Sequence, residues 1–231
     1  ADWTTYSFNT TLGPDVSGGV TLQLKASCGP VEGCGVDAFF DNVSIVIGGT
    51  GGGTGGGGDT GGGDTGGGDT GAATCTGGGG TSGGSGTGGG APGGIAVNGG
   101  FETGTFDGWE QLPGGGSQAI LTDNPSSGIY AANLLVPIRT QTDPAVDNLL
   151  KNSNLEAGSL TPNAPVTVSF DMRGELCGAG GVVFAEFFSE LTGGGTSKSE
   201  ILGGGAPLTP VANWTNYSFN TTLGPDVSGG V

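Results

Sequence analysis

The stretch VDAFFDNVSIVI, residues 36–47, decides the fold. Apolar and polar side chains alternate through it, and it is rich in Val, Ile and Phe, which suit a pleated, half-buried surface. Upstream, GVTLQLKAS at 19–27 alternates in the same way, and so does DWTTYSFNTTL at 2–12. Downstream, period-two segments fall at 117–122, 128–136, 146–155, 164–173, 181–191 and 197–202, separated by clusters of Gly, Pro, Asn and Asp. Helical periodicity is nearly absent. The best helical window, 147–156, contains Asn148, Asn152, Ser153 and Asn154, which favour turns over helix interiors. Many short strands divided by turn signals predict an all-β chain built as a jelly-roll β-sandwich.

Between the strand-like regions lies a different kind of text. Residues 48–94 hold 28 of the chain's 56 glycines and begin GGTGGGTGGGGDTGGGDTGGGDTG. Almost nothing there can enter a core, so burial cannot offset chain entropy and a flexible connector is expected. Asp59, Asp64 and Asp69 recur in a GGGDT unit. Calcium-binding glycine-rich repeats interleave apolar residues that build a β-roll, and this stretch has none, which favours the connector.

The chain also repeats itself. Residues 1–20 read ADWTTYSFNTTLGPDVSGGV and residues 212–231 read ANWTNYSFNTTLGPDVSGGV, differing only at Asp2 against Asn213 and Thr5 against Asn216. The offset of 211 residues is the size of a domain plus its connector. The expectation is a tandem array seen through a window: 1–47 as the C-terminal part of one repeat, 48–94 as linker, and 95–231 as the N-terminal part of the next. Joining 95–211 to a following copy of 1–48 makes one complete unit, long enough for a two-sheet core.

Composition bounds the partners. Five Lys and Arg against 21 Asp and Glu give a formal charge of −16 with no His. The cations Lys25, Arg139, Lys151, Arg173 and Lys198 are scattered, so no basic footprint for nucleic acid exists. Divalent cations bridging carboxylates, and copies of the chain itself, are the expected partners. No apolar run approaches the roughly 20 residues of a membrane helix. An acidic, cysteine-containing, Lys-poor composition fits secretion to the extracellular space or cell surface.

Three motifs then line up. NGGFETGTFDGWEQ at 98–111, ANWTNYSFNTTL at 212–223 and AFFDNVSIVI at 38–47 together resemble carbohydrate-binding modules of the family 4 and 9 type, which are galactose-binding-like jelly rolls. The resemblance covers about the whole repeat once the pieces are joined in order. It implies that the first and last strands lie together and hold a structural calcium through a Glu near the start and an Asp near the end. The matching residues are Glu102 and Asp41, whose carboxylates suit a hard cation. In a simple array they serve different ions, and one ion if repeats exchange strands. The resemblance also makes Trp3, Trp109 and Trp214 core residues, leaving Tyr130 and Phe188 as candidate platforms for a sugar ring, with Arg139 and Gln141 as hydroxyl partners.

The four cysteines, Cys28, Cys34, Cys75 and Cys177, allow three pairings. Cys28 and Cys34 flank a turn-forming CGPVEGC, and by elimination Cys75 would meet Cys177 and staple the linker to the folded unit. Thiol ligation of zinc is disfavoured by the absence of His and of any CxxC. Sequons at Asn9, Asn42, Asn213, Asn216 and Asn220 follow from Asn and Thr richness. Glu175, Glu186 and Glu190 stand in no recognisable catalytic motif, and a serine or cysteine hydrolase lacks its usual base. The expectation is therefore a non-enzymatic structural protein of a surface filament or long adhesin, stabilised by calcium and disulfides. Polysaccharide adhesion is the alternative.

Overall fold

A computed structural model describes residues 18–48, 94–140, 144–191 and 195–224. These form ten strands and no helix: β1 (Gly19–Cys28), β2 (Gly35–Ile47), β3 (Glu110–Leu112), β4 (Ser117–Leu121), β5 (Ala131–Val136), β6 (Val146–Leu155), β7 (Pro165–Cys177), β8 (Gly181–Glu190), β9 (Thr196–Ile201) and β10 (Thr215–Thr222). They make two five-stranded antiparallel sheets, ordered β3-β6-β1-β8-β9 and β10-β7-β2-β5-β4. From β5 to β8 each successive strand crosses to the opposite sheet, which wraps the chain around one β-sandwich core.

Alternation drives this packing. In β1, Val20, Leu22, Leu24, Ala26 and Cys28 are fully buried, and they pair across to Ser189, Phe187, Ala185, Val183 and Gly181 of β8. In the facing sheet Phe40, Phe170 and Tyr217 stand side by side from β2, β7 and β10. Phe40 meets Phe170 edge-on at 5.8 Å and Tyr217 stacks on Phe170 at 5.7 Å. Such rings fill the space between sheets with large apolar areas.

The β2 pattern breaks its own parity. Val36, Ala38 and Phe40 point inward at even numbers, then Val43 and Ile45 at odd ones. A one-residue bulge between Asp41 and Ser44 makes the switch, with Asn42 at φ 50°. Without it the second half of β2 would present its apolar residues to solvent.

The 147–156 window is strand, not helix, and its asparagines have work inside the sandwich. Asn148 and Asn152 are fully buried on the inner side of β6. Asn152 Oδ1 accepts the Val97 N–H at 3.0 Å, and its Nδ2 donates to the carbonyls of Val97 at 3.1 Å and Gly108 at 2.8 Å. Asn148 Nδ2 donates to the carbonyls of Ser117 and Leu135, and its Oδ1 accepts from Gln118 Nε2 at 2.7 Å. Asn152 thus takes up backbone groups of the 97–108 loop, while Asn148 ties β6 to β4 and β5 of the facing sheet.

Residues 18–48 and 94–224 lie in the same sandwich, with β1 and β2 central in one sheet each. The copy of the repeat at 215–222 is β10, paired along its length with β7 from Thr215–Met172 to Thr222–Pro165. The segment at 2–12, with Trp3 and Tyr6, and the glycine-rich residues 49–93 lie outside the described residues.

Candidate functional site

The β2 bulge gathers a buried polar site. Asp41, fully buried, accepts the Asn42 N–H on Oδ1 at 2.7 Å and the Ser127 N–H on Oδ2 at 2.9 Å. Glu102 reaches the same loop from the 98–109 segment. Its Oε1 accepts the Ile129 and Tyr130 N–H groups at 3.1 Å, and its Oε2 shares the Ile129 N–H. Asp171 of β7 completes the group. Its Oδ2 accepts from Asn42 Nδ2 at 2.8 Å and Ser126 Oγ at 2.7 Å, and its Oδ1 from Asn216 Nδ2 at 2.8 Å. Gly128, at φ +62°, sits so close to the Glu102 carboxylate that a Cβ would collide with it.

Burial pushes the Asp41 carboxyl up to about 6, with the N–H groups of Ser127 and Asn42 opposing and the charges of Asp171 and Glu102 adding to the rise. The structure therefore does bring Glu102 and Asp41 to one loop. Their chemistry suits a hard cation, since both Asp41 oxygens and Glu102 Oε2 each accept a single N–H and keep a lone pair, whereas Glu102 Oε1 already takes two. Their visible task is to hold residues 127–130, and among the described residues no three His, Cys, Asp or Glu gather as a metal centre.

The 98–109 segment is positioned by Asn98, which has φ 49°. Its Nδ2 donates to the carbonyls of Thr105 and Asp107, and Trp109 Nε1 donates to the Asn98 carbonyl at 3.3 Å. Phe101, fully buried, packs on Trp109 at 5.3 Å. Trp109 is thus a core residue as expected.

Trp214 is not a core residue. It lies on the outer side of its sheet, with Nε1 donating to the Asn124 carbonyl at 2.8 Å and its ring 5.3 Å from the Arg173 guanidinium. Arg173 lies 3.8 Å over Phe39 on its other contact. Burial lowers the Arg173 pKa from its ordinary value, against the charges of Asp37 and Asp123. The β7–β10 register places Thr215 opposite Met172, which brings the preceding tryptophan beside Arg173. The sequence carries both side chains but not that register.

Tyr130 and Phe188 form no common platform. Tyr130 precedes β5, half-buried beside Gly104 and packed on the core, whereas Phe188 is in β8 of the other sheet between Thr21 and Ser199. Arg139 lines an open depression of about 470 Å³ with Val136, Pro137, Ile138, Pro144 and Val146, and its Nη2 donates to the Pro144 carbonyl at 2.9 Å. Gln141 lies outside the described residues. Glu175 and Glu186 are on different sheets, and Glu186 accepts from Gln23 Nε2 at 3.0 Å.

Cys28 and Cys34 are bonded, with Cα atoms 5.8 Å apart. Cys177 is also disulfide-bonded, and its expected partner Cys75 falls outside the described residues. Of the sequons, Asn42 has its side chain engaged on both ends, by Asp171 and by Ser127 Oγ at 2.6 Å. No protein-family model, curated protein or solved structure matches this chain.

Proposed function

We propose that this chain is a structural extracellular protein, in which jelly-roll sandwiches repeat in tandem, separated by glycine-rich linkers, within a surface filament or long adhesin. The observation that carries the reading is that the duplicated text is a working strand: residues 215–222 pair with β7 along their whole length. A repeat whose copies encode load-carrying strands is what an array of equal beads needs. The β-sandwich, the Cys28–Cys34 bond and the lack of any helix long and apolar enough to cross a membrane among the described residues are compatible with that role. Calcium enters the reading through Glu102 and Asp41, whose remaining lone pairs would tie the first loop to β2.

A second reading is adhesion to polysaccharide by modules resembling carbohydrate-binding domains. It draws on the depression beside Arg139, although no aromatic side chain lines it.

Electron microscopy of the native material, with and without a chelator at fixed salt, separates the two. Regular fibres with a one-bead repeat that loosen without calcium support the filament. Separate beads indifferent to chelation contradict it and turn attention to glycan binding.

A further inference from the structure

We propose that residues 18–48 are an exchangeable strand pair, and that the partner receiving them is a second copy of this chain. The inference rests on the tandem-repeat reading for its biological setting, while the exchange itself belongs to the fold.

The pair is central in both sheets: β1 lies between β6 and β8, and β2 between β7 and β5. Without it one sheet divides into β3-β6 and β8-β9, and the other into β10-β7 and β5-β4. Residues 94–224 therefore need this insert, and Val20, Leu22, Leu24, Val36, Phe40 and Ile45 supply fully buried side chains from it. The insert also travels as a unit, since the Cys28–Cys34 bond closes its own turn.

The connection is far longer than closure within one copy requires. Gly48 N–H donates to the Pro165 carbonyl at 2.9 Å, and Ile95 N–H donates to the Ile45 carbonyl at 2.8 Å. The chain thus leaves and re-enters the sandwich within three residues of β2, roughly 10 Å at strand spacing. Connections of about 2–6 residues commonly bridge such gaps. Residues 49–93 instead put 45 residues between the two points, a length of chain that at roughly 3.3 Å per residue exceeds the gap many times over and can reach a neighbour.

The slot is also addressed twice by the sequence. Gly18 N–H donates to the Glu190 carbonyl at 3.1 Å, and Gly224 N–H donates to Ser189 Oγ at 3.0 Å, so the strand entering β1 and the strand leaving β10 meet the same end of β8. Four residues, 225–228, separate Gly224 from a second Gly-Gly-Val at 229–231, which repeats the 18–20 that open β1.

Exchange conserves every strand contact, so the balance is set by linker entropy against chain concentration. A connection of this length sets an effective concentration on the order of 1 mM, above which exchange dominates.

The test uses the full 231-residue chain with its disulfides intact. Two differently tagged preparations are unfolded in denaturant, mixed, and refolded over a thousandfold concentration range spanning that value. The expected result is monomer when dilute, and mixed-tag dimers and larger species when concentrated, which persist on dilution because release requires unfolding. Monomer at every concentration overturns the proposal. So do mixed-tag species that form without unfolding and disperse at once on dilution, since they would be surface association. Absence of fibres in native material would contradict the filament while leaving this result untouched.

Discussion

The backbone N–H of Ser127 donates to Asp41 Oδ2 at 2.9 Å, so a β2 residue holds the loop that leads into β5. Burial at this contact pushes the Asp41 carboxyl up to about 6 from an ordinary 3.8. Between those values the folded chain binds the proton that the unfolded chain has released, so stability falls as pH rises through the window and levels off above it. Asp37 is raised too, chiefly by burial, and acts in the same direction. Urea unfolding should show about 2 kcal/mol less stability near pH 7 than near pH 4 from Asp41 alone. Asp41→Asn should flatten that slope.

Calcium bound at Asp41 and Glu102 would favour the ionised carboxyl. Added calcium should then raise stability near pH 7 and erase the Asp41 slope, with proton release on binding below about pH 6. Titration calorimetry in two buffers of different ionisation enthalpy measures that release. An unchanged slope and no binding heat would leave these carboxylates with their N–H partners alone.

Gly128→Ala should disrupt the same loop, because a Cβ there meets the Glu102 carboxylate and the φ of +62° disfavours any side chain. A loss of about 1–3 kcal/mol is expected by chemical denaturation. Glu102→Gln at unaltered Gly128 should lose less, since it keeps one oxygen for the N–H groups.

Loss of the Cys28–Cys34 bond, by the double change Cys28→Ala and Cys34→Ala, should lower stability by about 2 kcal/mol, the entropy of the short loop it closes. The melting temperature should drop without change in the far-ultraviolet circular dichroism.

The strands were legible wherever one face is buried. The 19–27 and 36–47 patterns match β1 and β2 because the inward residues are apolar, although nearly every residue of both central strands is excluded from water. Strand β3 escaped notice because Glu110-Gln111-Leu112 is short and half polar, and its pairing to β6 is set by the neighbouring strand. The bulge at Asn42 was readable in principle, as the step from Phe40 to Val43 shifts apolar residues from even to odd positions. Glu102 and Asp41 were legible as neighbours only through the family resemblance, and their N–H partners at 127–130 depend on a loop no local pattern specifies. Trp214 was misplaced in the core because a tryptophan before an alternating strand says nothing about which side it takes. Its stack with Arg173 arises from the β7–β10 register.

Native-state hydrogen exchange on the intact chain tests most directly whether residues 18–48 are the centre of the sandwich. The account predicts that the amides of Leu22, Leu24, Ala38 and Phe40 exchange as slowly as those of Val168 and Phe187, through the same global opening. Fast exchange across β1 and β2, with β7 and β8 still protected, would contradict it.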